Sequence, residues 1–303
     1  MEKGFNMKKR FQPKTLLLKW MRWRYLVSGL LSLHLTYMTH LTEEHKMSFL
    51  KNKIAIVTGV SRLKGIGAAI CQELAEAGYH LFFTYWTKYD QTMPWSVQSD
   101  EPARLKEELL KKGVKVGCME LDLTLDDAPL LLFDQVCEEL GEPDILINNA
   151  AYSTNNDYSN ITFEELDKHY LVNIRATTLV STTFAKRFHK KSGGRIVNLT
   201  SGQFKGPMPG ELAYATTKGA IDALTITLSA EVAPLGITVN AVNPGPTDTG
   251  WMTEELKEEL TPMFPFGRVG MPRDVAKTIK FLVSEEADWI TGQIIHSEGG
   301  FKR

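Results

Sequence analysis

The chain has 303 residues, 43% of them hydrophobic and 23% charged, with a net charge of −1. That is room for one large α/β domain or two small ones. Charge is uneven: residues 1–46 carry nine Lys/Arg against three Glu, a net +6 that leaves −7 on the remainder. Such an acidic body argues against a nucleic-acid surface, because phosphate backbones need a basic patch.

Residues 1–46 are basic from Lys8 to Arg24, then apolar from Leu26 to Leu41 with His34, Thr36, Thr39 and His40 interrupting. A membrane span needs about 20 predominantly apolar residues, and no small-x-small cleavage site follows this run. Membrane contact by the segment is therefore not expected, although an amphipathic targeting or interfacial helix stays open. Met47 stands directly before the first strand signal and reads as a natural start. Residues 47–303 are expected to form the catalytic domain, with 1–46 an unstructured extension or a mis-assigned start.

From Lys53 onward, short apolar runs alternate with longer amphipathic ones. In chain order the pattern predicts a buried strand over 54–58, a helix over 66–77, a strand over 79–85, a helix over 104–112 and a strand over 114–121. A helix around 130–140, a strand over 144–148, a long helix over 162–185 and a strand over 195–199 follow. The helix carrying Tyr214 should run to about 233, before a strand over 237–241, a helix over 274–284 capped by Asp274, and a short strand over 293–296. Strands apolar throughout and separated by helices indicate a parallel sheet buried on both faces. Right-handed crossovers then make it an α/β, Rossmann-type doubly wound sheet. Nothing divides 47–303, so a single domain is expected. The cysteines Cys71, Cys118 and Cys137 lack metal-type spacing and predict reduced, buried thiols in a cytoplasmic protein. The seven histidines show no metal pairing either.

Two features carry chemistry. Tyr214 and Lys218 are one helical turn apart and share a face, and Ser201 lies upstream. An ammonium beside a phenol favours the phenolate, so this spacing predicts a tyrosine with a lowered pKa that can exchange a proton with an alcohol. The spacing alone is common, and a packed helix tyrosine is the alternative. The second feature is Thr58-Gly59-Val60-Ser61-Arg62-Leu63-Lys64-Gly65-Ile66-Gly67, a glycine-rich turn between the first strand and its helix. There the backbone can approach a pyrophosphate, and free N–H groups at the helix start favour anionic charge.

The turn resembles the Thr-Gly-x-x-x-Gly-x-Gly motif of the short-chain dehydrogenase/reductase family, and the similarity extends over residues 50–300. Asn148-Asn149-Ala150 matches the family's Asn-Asn-Ala-Gly, with Ala151 in place of the glycine. Asn173, Ser201, Tyr214 and Lys218 match its catalytic asparagine, serine, tyrosine and lysine. Asn243-Pro244-Gly245-Pro246-Thr247-Asp248-Thr249 is similar to the loop on the nicotinamide side. One departure is the five residues between Gly59 and Gly65, a longer spacing than the family's, which enlarges the loop near the adenosine ribose.

The resemblance implies an NAD(P)-dependent oxidoreductase interconverting a ketone and a secondary alcohol. Tyr214 would exchange the proton, Lys218 would lower its pKa and hold the nicotinamide ribose, Ser201 would hold the substrate oxygen, and Asn173 would organise a relay water. Gly59, Ser61, Arg62, Lys64, Gly65, Ile66, Gly67, Asp122, Leu123, Asn149, Ala150, Pro244, Gly245, Thr247 and Thr249 would line the cofactor, together with Tyr214 and Lys218. NAD-selective folds place an acid after the second strand; here Tyr85 occupies that position, while Arg62, Lys64 and Lys88 offer cations to a 2′-phosphate. NADP(H) is thus favoured, with NAD(H) open. Trp251, Met252, Met263, Phe264 and Phe266 are candidates for one substrate wall, and Gln203, Phe204, Met208 and Leu212 for the other. Phe266-Gly267-Arg268-Val269-Gly270-Met271-Pro272-Arg273-Asp274 and the stretch from Thr291 to Gly300 resemble the family's C-terminal signatures and are most similar to those of 3-oxoacyl-[acyl carrier protein] reductases, which implies a 3-oxo thioester; sugars, polyols, steroids and other alcohols are alternatives. A dinucleotide-binding regulator without turnover is the reading from another class. The family also implies a homo-oligomer, tetramer or dimer.

Overall fold

The computed structural model describes residues 53–93 and 98–303. The extension over 1–46 lies outside the described residues. Four consecutive apolar residues make Ile54–Val57 (β1) a strand buried throughout, and its neighbours obey the same rule. The chain continues through helix Ile66–Glu76 (α1), strand His80–Tyr85 (β2), helices Thr87–Gln91 (α2) and Glu101–Leu110 (α3), and strand Val116–Glu120 (β3). Helix Ala128–Glu139 (α4), strand Ile145–Asn148 (β4), helix Phe163–His169 (α5), helix Thr177–Arg187 (α6) and strand Gly194–Leu199 (β5) follow. Helix Leu212–Val232 (α7), strand Ile237–Asn243 (β6), helices Glu254–Leu260 (α8) and Pro272–Val283 (α9), and strand Ile294–His296 (β7) complete the fold.

The seven strands lie in the order β3-β2-β1-β4-β5-β6-β7, and every pairing is parallel. Chain direction across the sheet reverses between β1 and β4, and in such sheets ligands bind beyond the strand ends at that reversal. Alternation along β1 sends side chains to two cores. Ala55 and Val57 pack with Leu74, Leu109 and Ile279 of α1, α3 and α9. Ile54 and Ile56 pack with Phe133, Phe184 and Leu228 of α4, α6 and α7. The unit from Leu50 to Arg303 is one body, as the single Rossmann-type domain expected.

Four details differ from the sequence reading. The long helix over 162–185 is interrupted by a π-helical segment, Tyr170–Ala176, which widens the turn and re-aims Asn173; such segments recur at functional sites. The short polar helices α2 and α8 were not foreseen. Asp274 does not cap α9 from outside: Met271 is the N-cap, and the Asp274 carboxylate, inside the first turn, accepts the Met271 N–H at 2.9 Å and two Arg268 nitrogens at 2.6 and 2.8 Å. Cys71 is buried, but Cys118 is half-buried and Cys137 is exposed, so only the first thiol fits the buried reading. Among the described residues no helix is long and apolar enough to cross a membrane.

Candidate active site

The glycine turn is assembled by side chains that hold backbone. Thr58 Oγ1, at the end of β1, accepts the N–H groups of Asn149 and Ala150 at 3.1 Å each. The Asn149 carboxamide returns two bonds, donating to the carbonyls of Thr58 and Gly59 at 2.9 Å. These contacts bind the ends of β1 and β4 together. Gly59 has φ of 72°, and a Cβ there would fall 2.5 Å from the Ala150 Cα; only glycine fits. A Cβ on Gly67 would fall 2.8 Å from the Asn149 side chain. Gly65 is the N-cap of α1, with no side-chain cap and no acid in the first turn. The helix therefore presents uncapped N–H groups to an anion. A close backbone approach and an uncapped helix start with no acid in its first turn fit a dinucleotide pyrophosphate.

The enlarged loop is tied down rather than open. Glu101, in the first turn of α3, accepts the Leu63 N–H at 2.7 Å. Ser61 is buried and accepts the Trp86 N–H at 3.2 Å. Arg62 does not simply offer its charge outward: Nε lies 3.2 Å from Asp90, and its two terminal nitrogens donate to the carbonyl and hydroxyl of Thr249 at 3.0 and 3.3 Å. Asp90 lies on α2, which brings it to Arg62. Lys64 and Lys88 remain exposed, Lys88 above the Trp86 ring.

The other predicted cofactor positions fall around this turn. Asp122 follows β3 and accepts the N–H and hydroxyl of Thr124 at 2.9 and 2.7 Å, a local turn, with Leu123 half-buried beside it. After β6, Asn243 Oδ1 accepts the Gly245 N–H at 2.9 Å, and the Thr247 hydroxyl donates to the carbonyls of Pro244 and Gly245 at 3.3 and 3.1 Å. Gly245 is wedged against Glu298, where a Cβ would approach to 2.5 Å.

The second half of the site is the head of α7. Tyr214, Lys218 and Ser201 converge: the Ser201 hydroxyl lies near enough to the Tyr214 phenol to favour its ionised form, and Lys218 Nζ lies 5.4 Å from the Tyr214 ring centre. Lys218 is 3% exposed and donates to the Leu199 carbonyl at 2.8 Å. Burial lowers the lysine to about 8, with Asp222 partly opposing. The expected lowering of the tyrosine is not seen. Burial raises the Tyr214 pKa, Glu211 and Tyr89 add to the rise, and the Ser201 hydroxyl opposes it. Desolvation, and not the ammonium beside the ring, sets the direction.

Asn173 is 1% exposed. Its Oδ1 accepts the Tyr152 N–H at 2.7 Å, and its Nδ2 donates to the Tyr152 carbonyl at 2.9 Å and to Thr217 at 3.0 Å. Both amide hydrogens are thus used in bridging the β4 loop to α7. The expected substrate walls are only partly assembled. Met208 sulfur lies 3.9 Å from Ser201 Oγ, but Met252 and Phe264 form a local core with Val269. Gln203 is held by Asp222 at 2.5 Å, while Phe204, Leu212, Trp251 and Phe266 are exposed.

A family model described as enoyl-(acyl carrier protein) reductase matches residues 59–302. The chain belongs to the short-chain dehydrogenase/reductase family. The uncharacterized oxidoreductase YjdA of Bacillus subtilis is 51% identical over 259 residues, 85% of this chain and 100% of its own length. The 3-oxoacyl-[acyl-carrier-protein] reductase FabG of Aquifex aeolicus is 34% identical over 256 residues, covering 83% of this chain and 98% of its own. A short-chain dehydrogenase of Burkholderia cenocepacia, solved in complex with NADP, superposes with a TM-score of 0.74 at 30% identity, over 83% of this chain and 98% of that one. This member is thus an oxidoreductase acting on CH–OH and C=O groups.

Several residues of this short-chain dehydrogenase/reductase site escaped the sequence reading. Tyr89, on α2, donates to the Ser153 carbonyl at 3.3 Å and accepts its N–H at 3.2 Å, and it lies within electrostatic range of Tyr214. No spacing rule would have linked it to residue 214. Glu211 was readable: three positions before Tyr214, it shares a helical face with it.

Proposed function

We propose that the protein is an NADP(H)-dependent reductase that converts a ketone to a secondary alcohol, with Tyr214 as the proton donor. The observation that supports this most is the convergence of the Ser201 hydroxyl, the Tyr214 phenol and the Lys218 ammonium beside the glycine turn. The raised pKa of Tyr214 keeps its proton in place at neutral pH, which is the form needed to protonate an oxygen as it gains negative charge. Ser201 would donate to the same oxygen and stabilise that charge. Lys218 would hold the nicotinamide ribose and stabilise the phenolate left behind. Asn173 fixes the loop after β4 against α7, so its part is to position these groups.

Backbone of Gly59, Gly65, Ile66 and Gly67 would hold the pyrophosphate, with Asn149, Ala150 and the 244–249 loop around the remainder. The hydride would come from the nicotinamide of the bound cofactor. The absence of an acid at Tyr85, together with exposed Lys64 and Lys88, supports NADP(H) over NAD(H), as does the NADP bound by the Burkholderia relative. Likeness to the Aquifex enzyme makes a 3-oxoacyl thioester one substrate to test. The reading places the enzyme in the cytoplasm as a homo-oligomer. Apolar side chains exposed on α5, α6 and α7, including Leu166, Leu179 and Ile226, support the assembly; sedimentation as a single chain would overturn it.

The deciding experiment is Tyr214→Phe, assayed by NADPH oxidation over a ketone panel that includes an acetoacetyl thioester. Turnover is expected to fall by roughly 1,000-fold, with NADPH affinity unchanged. Retained turnover, or binding of NADPH by the wild type without oxidation by any ketone, would sink the reading.

A further inference from the structure

The turn that follows Ser201 contains two glycines that its backbone does not require. Neither Gly202 nor Gly206 is left-handed, so other residues could adopt the same conformation. Space excludes a side chain instead. A Cβ on Gly202 would overlap Arg303 Nη2, and one on Gly206 would fall 2.7 Å from Arg303 Cδ. At both positions the three nearest atoms belong to Arg303. The arginine side chain thus lies across both ends of the turn, which Lys205 closes by donating its N–H to the Gly202 carbonyl at 2.8 Å.

The chain after β7 is shaped to deliver that side chain. Gly299 and Gly300, with φ of 60° and 71°, turn the backbone, and the Phe301 N–H donates to the Glu298 carbonyl at 3.0 Å. The Phe301 ring then packs on Phe264 with centres 4.8 Å apart, and the Lys302 N–H donates to the Met263 carbonyl at 2.9 Å. The Arg303 side chain, 17% exposed, donates from Nη2 to Glu298 Oε2 at 3.0 Å. Glu298 is buried, and the same oxygen accepts Asn243 Nδ2 at 2.9 Å. Asn243 Oδ1 in turn holds the Gly245 N–H at 2.9 Å. One side chain therefore connects the turn after Ser201 to the loop after β6. An arginine suits this task, because its long stem and planar head fill the space that both glycines leave.

Resting on the reductase reading, in which Ser201 holds the substrate oxygen, we propose that Arg303 is a positioning residue that fixes the Ser201 turn against the loop on the nicotinamide side. It touches no reacting atom. Without its side chain the turn and the loop are free to part, and the Ser201 hydroxyl no longer meets the oxygen as charge develops there.

The test uses the full chain, NADPH, and the ketone of the panel that the wild type reduces fastest. Arg303→Ala is expected to lower kcat by about 10- to 100-fold, with KM changed by about threefold at most. The Cβ of Gly202→Ala displaces the guanidinium, so this variant should cost a similar factor while Arg303 is present. Once Arg303→Ala has emptied the space, adding Gly202→Ala should cost about twofold or less. The loss from Arg303→Ala should also vanish in a Ser201→Ala background, whereas a merely weakened fold would lose the same factor in both. A full loss without the Ser201 hydroxyl, or a Gly202→Ala cost independent of Arg303, would overturn the assignment. Hydrogen exchange gives a readout independent of turnover: Arg303→Ala should speed the amides from 200 to 207 by about tenfold and leave β5 unchanged. Gly202→Ala, which keeps both Arg303 and Glu298, serves the same measurement if Arg303→Ala does not fold. Exchange unchanged in the turn, or raised equally across the sheet, counts against Arg303 alone. Absence of wild-type turnover with the turn still loosened counts against the reductase reading alone.

Discussion

The glycine turn and the head of α7, the two halves of the proposed site, are built in opposite ways. In the turn, fold and proposed function use the same contacts: Thr58 and Asn149 hold the backbone that is proposed to meet the phosphates. At the head of α7 the groups expected to act are poorly satisfied by the fold. Lys218 is buried with one hydrogen bond to a carbonyl, and Tyr214 is held protonated by burial. Stability and activity should therefore fall together in the first region and separate in the second.

The largest effect is expected at Gly59. Alanine there would have to adopt φ of 72° with its Cβ 2.5 Å from the Ala150 Cα, and β1 and β4 would have to part. Gly59→Ala should lose about 3 kcal/mol of stability and most of its affinity for NADPH. Denaturant unfolding and fluorescence titration of NADPH check the two losses. A stable variant with lost affinity, or the converse, would break the claim that one set of contacts serves both.

Lys218→Met should do the reverse. Burial lowers Lys218 from 10.5 to about 8 in the fold, so above about pH 8 the unfolded chain binds the proton that the folded chain has released. Stability from this group then rises with pH across that window; below it, the buried charge is a cost. Methionine removes the cost but leaves the Leu199 carbonyl without its donor, a loss of about 1 kcal/mol. The net gain at pH 7 should be roughly 2 kcal/mol, shrinking and disappearing towards pH 10, in a variant without turnover. Comparing the two proteins at each pH cancels titrations elsewhere. A difference that stays constant with pH, or widens, would show that Lys218 is not the strained group.

What could be read from the sequence follows the same division. The strand–turn–helix around Gly59 was legible because hydrophobic runs and glycines act locally, and the bounds of β1 and α1 fell within a residue of expectation. The triad of Ser201, Tyr214 and Lys218 was legible as spacing, but its electrostatics were not. Burial, which comes from the whole fold, reversed the sign expected for Tyr214. Asn173 was found by its motif, yet its bridging geometry depends on a π segment and on Tyr152, a tertiary match no local pattern encodes. The substrate wall was legible only in part for a related reason: Met252 and Phe264, read as lining residues, pack on each other and on Val269.

Arg62 supplies the smallest effect and the sharpest test of the boundary between the regions. As a loop cation it was expected to meet a 2′-phosphate; in the structure it grips Asp90 and both oxygens of Thr249, joining the glycine turn to the loop after β6. Arg62→Lys keeps a charge opposite Asp90 and removes the two-pronged hold on Thr249, because an ammonium lacks the planar fork. If the clamp is the residue's role, stability falls by about 1 kcal/mol, and affinities for NADPH and NADH shift by the same factor. If the guanidinium instead reads the 2′-phosphate, NADPH binding weakens severalfold while NADH is untouched. Because the two outcomes differ in the ratio of affinities and not in their size, even a small change assigns Arg62 to the fold or to the cofactor.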